Sequence, residues 1–137
     1  KNEEIRDLPS AFLICGCRRT IDFDFDTYKQ SLHISNDYFY DLCFENDSVL
    51  PNGKSYEGAL FLIWQDSLCV PPTKIDLNNY IPNGYIVSRG GIPSSERMIK
   101  LKANSTYTIS STGLGAVECR IKTWTNRNGK ILKAVKY

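Results

Sequence analysis

Residues 117–137, VECRIKTWTNRNGKILKAVKY, have the pattern of a β-hairpin and set the expectation for the whole fold. In the first half, Val, Cys, Ile and Thr alternate with Glu, Arg and Lys, the period of two expected of a strand with one buried face. The tetrad NRNG at 126–129 supplies an Asn-Gly pair, a strong short-range signal for a hairpin turn. A second strand is therefore predicted to return along 131–137.

The rest of the chain is also predicted to consist of short strands. Residues 21–26 alternate apolar side chains with aspartates, and the apolar run ALFLIWQ at 59–65 predicts a central strand covered on both faces. Further strands are expected at 38–44, 98–101 and 106–110. We expect an all-β fold, either an antiparallel β-sandwich (immunoglobulin-like) or a partly open barrel of about seven to eight short strands. The predicted core contains Phe23, Leu42, Leu60, Leu62, Tyr107, Val117 and Ile121.

The length and composition are those of one domain. The chain has 137 residues, and no stretch approaches the ~20 apolar residues of a membrane helix, so no transmembrane segment is expected. Residues 18–137 are predicted to form a single β domain. Residues 11–17, AFLICGC, resemble the end of a bacterial lipoprotein signal with Cys17 as the lipidation candidate, but the preceding residues are too charged for such a signal. Residues 1–17 are therefore either a signal remnant or an N-terminal segment of the fold.

The reactive side chains favour binding over catalysis. His33 is the only histidine, and the chain has no nucleophile elbow, phosphate-binding glycine loop or zinc-ligand spacing. Asp22, Asp24 and Asp26 could be read as calcium ligands, but their alternation favours one solvated strand face over a loop that wraps a cation. The net charge is +2 and the basic residues are scattered along the sequence, so nucleic acid is not expected as a partner. We expect no enzyme activity, no metal and no cofactor.

Five cysteines are many for a cytosolic domain of this size and favour an oxidising compartment. Cys43 lies in one predicted strand and Cys69 follows another. Neighbouring antiparallel strands can bring Cα atoms within the ~4.4–6.8 Å that a disulfide needs, so a Cys43–Cys69 disulfide is predicted. Cys119 is expected to be a buried thiol, with pairing to Cys15 or Cys17 as the alternative.

Several pieces of the sequence resemble small bacterial periplasmic lipoproteins regarded as immunity proteins for type VI secretion effectors. The matching pieces are residues 13–17, 41–44, 69–72, 101–107 and 121–130. The resemblance implies a periplasmic location, with a lipid anchor to the outer membrane through the cysteine at the end of the first piece. It also implies a protein partner, a secreted antibacterial toxin such as a lipid- or cell-wall-degrading enzyme, which this chain would neutralise by covering the active site.

A long connection is the predicted binding surface. The segment 78–97 is rich in Asn, Pro, Gly and Ser, and a long loop in a small domain is usually kept for function. Its Tyr80, Tyr85, Arg89 and Arg97 are the expected anchors for the partner, since aromatic and arginine side chains dominate interface energies. The alternative function is a structural or adhesive immunoglobulin-like module, or a carbohydrate-binding module, of an exported protein. An open edge strand would favour the adhesive module, and a line of exposed aromatics would favour carbohydrate binding.

Overall fold

The computed structural model describes residues 22–54, 57–111 and 119–137, and these form two antiparallel β-sheets. The strands are β1 Phe23–Asp26, β2 Ser31–Ile34, β3 Asp41–Asn46, β4 Leu60–Trp64, β5 Lys74–Asp76, β6 Tyr85–Arg89, β7 Ile92–Pro93, β8 Thr106–Ser111, β9 Cys119–Thr125 and β10 Ile131–Lys136. The small sheet has the order β1-β2-β5, and the large sheet has the order β10-β9-β8-β3-β4-β6-β7.

The predicted all-β class is confirmed. The described part of the chain contains no helix, and its sheets of three and seven strands do not close into a barrel, which is consistent with a β-sandwich. Ten strands are present rather than seven or eight, because the Pro- and Gly-rich stretch after residue 72 divides into β5, β6 and β7. The strand predicted at 98–101 is wrong: it is reduced to a single bridge between Met98 and Tyr80.

One hydrophobic core lies between the two sheets. Phe23 of β1 packs edge-on against Phe39, with ring centroids 5.5 Å apart, and both rings are fully buried. Val117, a predicted core residue, lies outside the described residues, as do the lipidation candidate Cys17 and the rest of 1–21. Cys119 is half-buried against this core and forms no disulfide. The other predicted core residues, all of them buried, are Phe23, Leu42, Leu60, Leu62, Tyr107 and Ile121.

The predicted C-terminal hairpin is formed by β9 and β10. Its turn contains Gly129 at φ +78°, a conformation that side chains with a Cβ rarely adopt. The Asn126 side-chain oxygen accepts hydrogen bonds from the backbone N–H groups of Asn128 and Lys130 at 2.8 and 3.0 Å. The Asn-Gly signal therefore acts through both the glycine backbone and the asparagine side chain.

The prediction that β4 is covered on both faces is wrong. Leu60 and Leu62 are buried against the small sheet, whereas Phe61 and Ile63 on the opposite face are exposed. The small sheet lies against only one face of the large sheet, and no third layer of described residues covers the other. An apolar run cannot distinguish these two cases, because period-two alternation disappears when both faces are apolar.

The predicted disulfide between Cys43 and Cys69 is not formed in the structure. β3 and β4 are antiparallel neighbours as expected, but Cys43 lies opposite Phe61, the second residue of β4. Cys69 instead lies beyond the end of β4, where Trp64 is hydrogen-bonded to Tyr40 and its indole reaches the Cys69 carbonyl at 3.0 Å. Tyr40 is three residues from Cys43, a distance of about 10 Å along a strand. Cys69 lies beyond the strand end at the level of Tyr40, so it is farther from Cys43 than a disulfide can span.

Candidate functional site

The predicted binding loop, residues 78–97, is mostly regular structure. It contains β6 and β7, and only its first part connects strands. Of the four predicted anchors, Tyr80 alone is well exposed, at 77% of its surface. Its backbone is held in place by the bridge to Met98, so the side chain projects from a fixed position.

Tyr85, predicted as a surface anchor, is a core residue with 2% of its surface exposed. Its hydroxyl donates to the backbone carbonyl of Phe39 at 2.5 Å, and its ring packs edge-on against Trp64 at 4.9 Å. Burial, and secondarily the negative charge of Asp41, raise the pKa of the hydroxyl above its ordinary value. It cannot reach a partner without unfolding this part of the sheet.

Arg89 is also not free to bind a partner. It joins β6 to the segments that contain Glu96 and Gly58. Its guanidinium makes two hydrogen bonds to the Glu96 carboxylate, at 2.8 and 2.9 Å, and donates to the Gly58 carbonyl at 2.8 Å. The hydrogen bond with Glu96 raises the pKa of Arg89, and the same bond lowers the pKa of Glu96. The role of Arg89 is to hold the β6–β7 turn against the start of β4.

Arg97, the fourth predicted anchor, also has an internal role. Its guanidinium donates to the carbonyls of Ile81 and Pro82, each at 3.0 Å. These carbonyls belong to the turn that leads into β6, so Arg97 fixes the shape of that turn. A sequence cannot distinguish an arginine that caps its own loop from one that faces a partner, because both lie in polar, turn-rich segments.

The exposed apolar surface lies instead on the outer face of the large sheet. Phe61, Ile63 and Ile86 are 38%, 45% and 55% exposed, and we call these three residues the outer apolar patch. Ile63 and Ile86 are directly opposite each other on β4 and β6, and Phe61 lies two residues from Ile63 on the same face. Cys43 and Ser88 flank Phe61 in the same cross-strand row.

The outer apolar patch rests on a rigid support. β4 is hydrogen-bonded to β3 on one side and to β6 on the other, and Leu62 on its inner face is fully buried. Backbone positions in the interior of a sheet over a packed core have little freedom. A partner that binds here would therefore meet a preformed surface, which reduces the entropy lost on association.

A shaped loop, residues 65–71, follows β4 and is held by the side chain of Trp64, which packs against the core on the face opposite to the patch. The Trp64 indole N–H lies 2.8 Å from the Asp66 carbonyl and 3.0 Å from the Cys69 carbonyl, and the Asp66 carboxylate accepts the backbone N–H of Leu68 at 2.9 Å. These bonds hold Leu68 with 92% of its surface exposed. The loop borders an open depression of about 430 Å³ beside Tyr40.

The only histidine lies on the outer face of the small sheet. His33 is opposite Asp24 on β1 and Lys74 on β5, at the edge of an open depression of about 470 Å³. The aspartates that could be read as calcium ligands are otherwise engaged: Asp24 and Asp22 bind the Lys136 ammonium at 2.8 and 2.6 Å. Within residues 22–54, 57–111 and 119–137, no group of three His, Cys, Asp or Glu side chains is placed to hold a metal ion.

Sequence reasoning missed the outer apolar patch, although a signal was present. The runs at 59–65 and 85–87 are both apolar without alternation. Two adjacent strands that are apolar on both faces need a covering layer on each side, and one domain of this size has little chain for two such layers. One uncovered apolar face was therefore a reasonable alternative to a fully buried strand.

Comparison with known proteins identifies no relative: no family model, curated protein or solved structure matches this chain. In the part of the chain that the structure describes, no helix is long and apolar enough to cross a membrane.

Proposed function

We propose that this chain is an exported binding protein, an immunity protein that neutralises a secreted antibacterial toxin in the periplasm. The observation that carries the proposal is the outer apolar patch of Phe61, Ile63 and Ile86 on the middle strands of the large sheet. Contiguous exposed apolar side chains on a soluble domain usually mark an interaction surface.

A protein partner would cover the patch together with the polar residues around it. A stable interface buries ~800 Å² on each side, with a few central anchors contributing most of the energy. The patch would form the centre of such an interface. A rigid sheet face is suited to covering the mouth of an enzyme active site, which is the mode of inhibition that the sequence resemblance implies.

The partner and the location follow from that resemblance and are part of the proposal. A toxin that degrades lipid or cell wall acts in the periplasm, so its inhibitor must be stationed there. Lipidation at Cys17 would tether the domain to the outer membrane and raise its local concentration.

The test is a set of single substitutions in the patch. Immobilised wild-type protein would capture its partner from a periplasmic extract for identification by mass spectrometry. The partner would then be titrated against wild type, Phe61→Ser, Ile63→Ser and Ile86→Ser. Loss of a buried apolar anchor is worth ~1.5–3 kcal/mol, so each affinity is expected to fall ~10- to 100-fold.

Leu132→Ser is the matched control, because Leu132 is also an exposed aliphatic residue on a strand but lies outside the patch. Its affinity should equal that of wild type. Protection completes the test: production of this chain should restore growth to cells that carry the captured protein in the periplasm. Equal affinities for all patch variants, or no protection, would contradict the proposal.

The open edge of β10 favours a second candidate, an adhesive or structural module that receives a strand from another chain. Among the described strands, β10 pairs only with β9, so beyond Ile131, whose backbone N–H and carbonyl bind the Gln30 side chain, its outer edge has no strand partner. The carbohydrate-binding alternative has less support, because the Trp124 ring is faced by the ammonium groups of Lys122 and Lys133. If Leu132→Ser weakens partner binding while the patch variants do not, the adhesive module is the better candidate.

A further inference from the structure

The C-terminal hairpin is strongly basic. Residues 119–137 contain six lysines and arginines and no aspartate or glutamate. The whole chain has 17 basic and 15 acidic residues, so the 118 residues before the hairpin contain 11 basic and 15 acidic side chains. The C-terminal end of the sequence is therefore net positive and the remainder net negative, which sequence reasoning missed by treating the basic residues as scattered. In the structure Asp22 and Asp24 bind Lys136, and Asp47 accepts a hydrogen bond from Thr108 beside the Tyr137 hydroxyl.

The sheet places part of this charge on one face. Trp124 is opposite Lys133 and Thr106, and Lys122 is opposite Val135, so these side chains lie in adjacent cross-strand rows. Arg120 begins the next row, beside Tyr137, whose backbone N–H donates to the Arg120 carbonyl. We call Arg120, Lys122, Trp124, Lys133, Val135 and Tyr137 the hairpin face.

Aromatic and cationic groups are interleaved on the hairpin face. The Lys133 and Lys122 ammonium groups lie 4.8 and 5.8 Å from the centre of the Trp124 ring, and the Arg120 guanidinium lies 5.8 Å from the centre of the Tyr137 ring. Lys136, in contrast, is engaged with Asp22 and Asp24 on β1 and is not counted with this face.

We propose that the hairpin face rests on the surface of an anionic phospholipid bilayer. Lysine and arginine bind headgroup phosphates, and tryptophan and tyrosine favour the interfacial region. Exposed Val135 and Tyr137 add apolar surface that could enter the boundary of the acyl chains. The chain's positive end and negative remainder would orient it with the hairpin towards the negative membrane. This inference does not depend on the proposed function.

The hairpin face and the outer apolar patch can be occupied together. Four strand intervals separate their centres in the order β10-β9-β8-β3-β4-β6. Both lie on the outer face of the large sheet, since Arg120 shares a cross-strand row with Ser110, Cys43 and Phe61, and a twist of about 20–25° per strand turns the strands beneath them by about 80–100° relative to each other. A domain lying on a membrane by its hairpin would therefore leave the patch accessible from the side.

The test uses vesicles of two compositions. The full chain would be sedimented with vesicles of phosphatidylglycerol and phosphatidylcholine in equal parts, and with vesicles of phosphatidylcholine alone, at low and high ionic strength. We expect binding to the anionic vesicles only, reduced by salt. Each basic residue at such a surface contributes about fivefold to partitioning, so Lys122→Gln/Lys133→Gln should weaken binding about 25-fold.

Lys29→Gln/Lys74→Gln is the matched control, since these exposed lysines lie in the β1–β2 turn and on β5, away from the hairpin face, and the change in net charge is the same. It should bind as wild type does. No sedimentation with anionic vesicles, or equal losses for the two double variants, would overturn the proposal. Tighter binding of a single-stranded oligonucleotide than of the vesicles at the same salt, lost in Lys122→Gln/Lys133→Gln, would also overturn it.

Discussion

The Gln30 side chain pairs with both backbone polar groups of Ile131. Its Oε1 accepts the Ile131 N–H at 2.9 Å, and its Nε2 donates to the Ile131 carbonyl at 2.8 Å. Gln30 lies in the turn between β1 and β2 and Ile131 begins β10, so this pair joins the small sheet to the large sheet. The two sheets are not joined by strand pairing at this point. The Gln30 amide instead provides the two hydrogen bonds that a neighbouring strand would make to Ile131.

Gln30→Ala is expected to lower the free energy of unfolding by about 2–4 kcal/mol, because two buried backbone groups of Ile131 lose their partner. Gln30→Glu keeps an acceptor for the N–H but no donor for the carbonyl, and should destabilise as well. Urea denaturation measures both. Lys29→Ala, in the same turn but exposed, is the control. A Gln30→Ala protein within ~0.5 kcal/mol of wild type would show that water can replace the amide.

Tyr85→Phe should destabilise the fold by about 1–2 kcal/mol, because the Phe39 carbonyl loses the buried hydroxyl that binds it. Tyr85→Ala should cost about 3–5 kcal/mol, the range for deleting a buried aromatic ring. Thermal and urea unfolding give both values. Wild-type stability of the alanine variant would mean that Tyr85 is not part of the core.

The pH dependence of stability provides a separate test of the same hydroxyl. Burial and Asp41 raise the pKa of Tyr85 in the folded state above its ordinary ~10, so the folded protein holds this proton more tightly than the unfolded chain. Its contribution to stability is complete below about pH 10 and is lost as the pH rises further. The stability difference between wild type and Tyr85→Phe should be constant at neutral pH and shrink above about pH 10. A difference that grows there would have the wrong sign.

The two faces of β4 should respond differently to truncation. Leu62→Ala removes a fully buried side chain and should cost about 2–5 kcal/mol, whereas Ile63→Ala, at a half-exposed position, should cost no more than about 1 kcal/mol. Urea denaturation of the pair is the measurement. Equal large losses would mean that the outer face of the sheet is covered.

Gly84→Ala should displace the Trp64 indole, because a methyl group at this position overlaps the ring. Overpacking of this kind costs about 1–3 kcal/mol, and the indole would lose its bonds to the Asp66 and Cys69 carbonyls. Tryptophan fluorescence in a Trp124→Phe background isolates the Trp64 signal. An unchanged spectrum in the glycine variant would show that the ring can move aside without losing its environment.

The Arg89–Glu96 pair should make a small contribution to stability that disappears at low pH. The hydrogen bond from Arg89 lowers the pKa of Glu96 in the folded protein. The contribution is therefore complete above pH ~4.3, the ordinary pKa of a glutamate, and is lost as the pH falls through the lower pKa of the folded state. Both side chains are about one-third exposed, so a coupling of only about 0.5–1 kcal/mol is expected. A double-mutant cycle with Arg89→Met and Glu96→Gln at pH 7 and pH 3 measures it. A coupling that is larger at pH 3 would contradict this account.

Much of the fold could be predicted because its signals are local. Alternation at β1 and β9 and the Asn-Gly turn at 126–129 each depend on residues that are close in sequence, and all three predictions are confirmed. The candidate site was predicted less well because the contacts that decide it are not local. Tyr85 and Arg89 have the side chains of interface anchors, but their partners Phe39 and Gly58 lie 46 and 31 residues away.

Residues close in sequence were enough to predict short antiparallel strands, the position of the hairpin turn and six of the buried core residues, but not the burial of Tyr85. Only the packing of the sheets determines which apolar face of β4 is left uncovered, and only the register of β9 and β10 brings Lys133 to Trp124 and Tyr137 to Arg120. The physical reason is that local pattern specifies side-chain alternation along one strand, whereas exposure depends on which other strands pack against each face. Phe61 and Leu62 are neighbours of similar hydrophobicity, and only the position of the small sheet makes one a core residue and the other a surface residue.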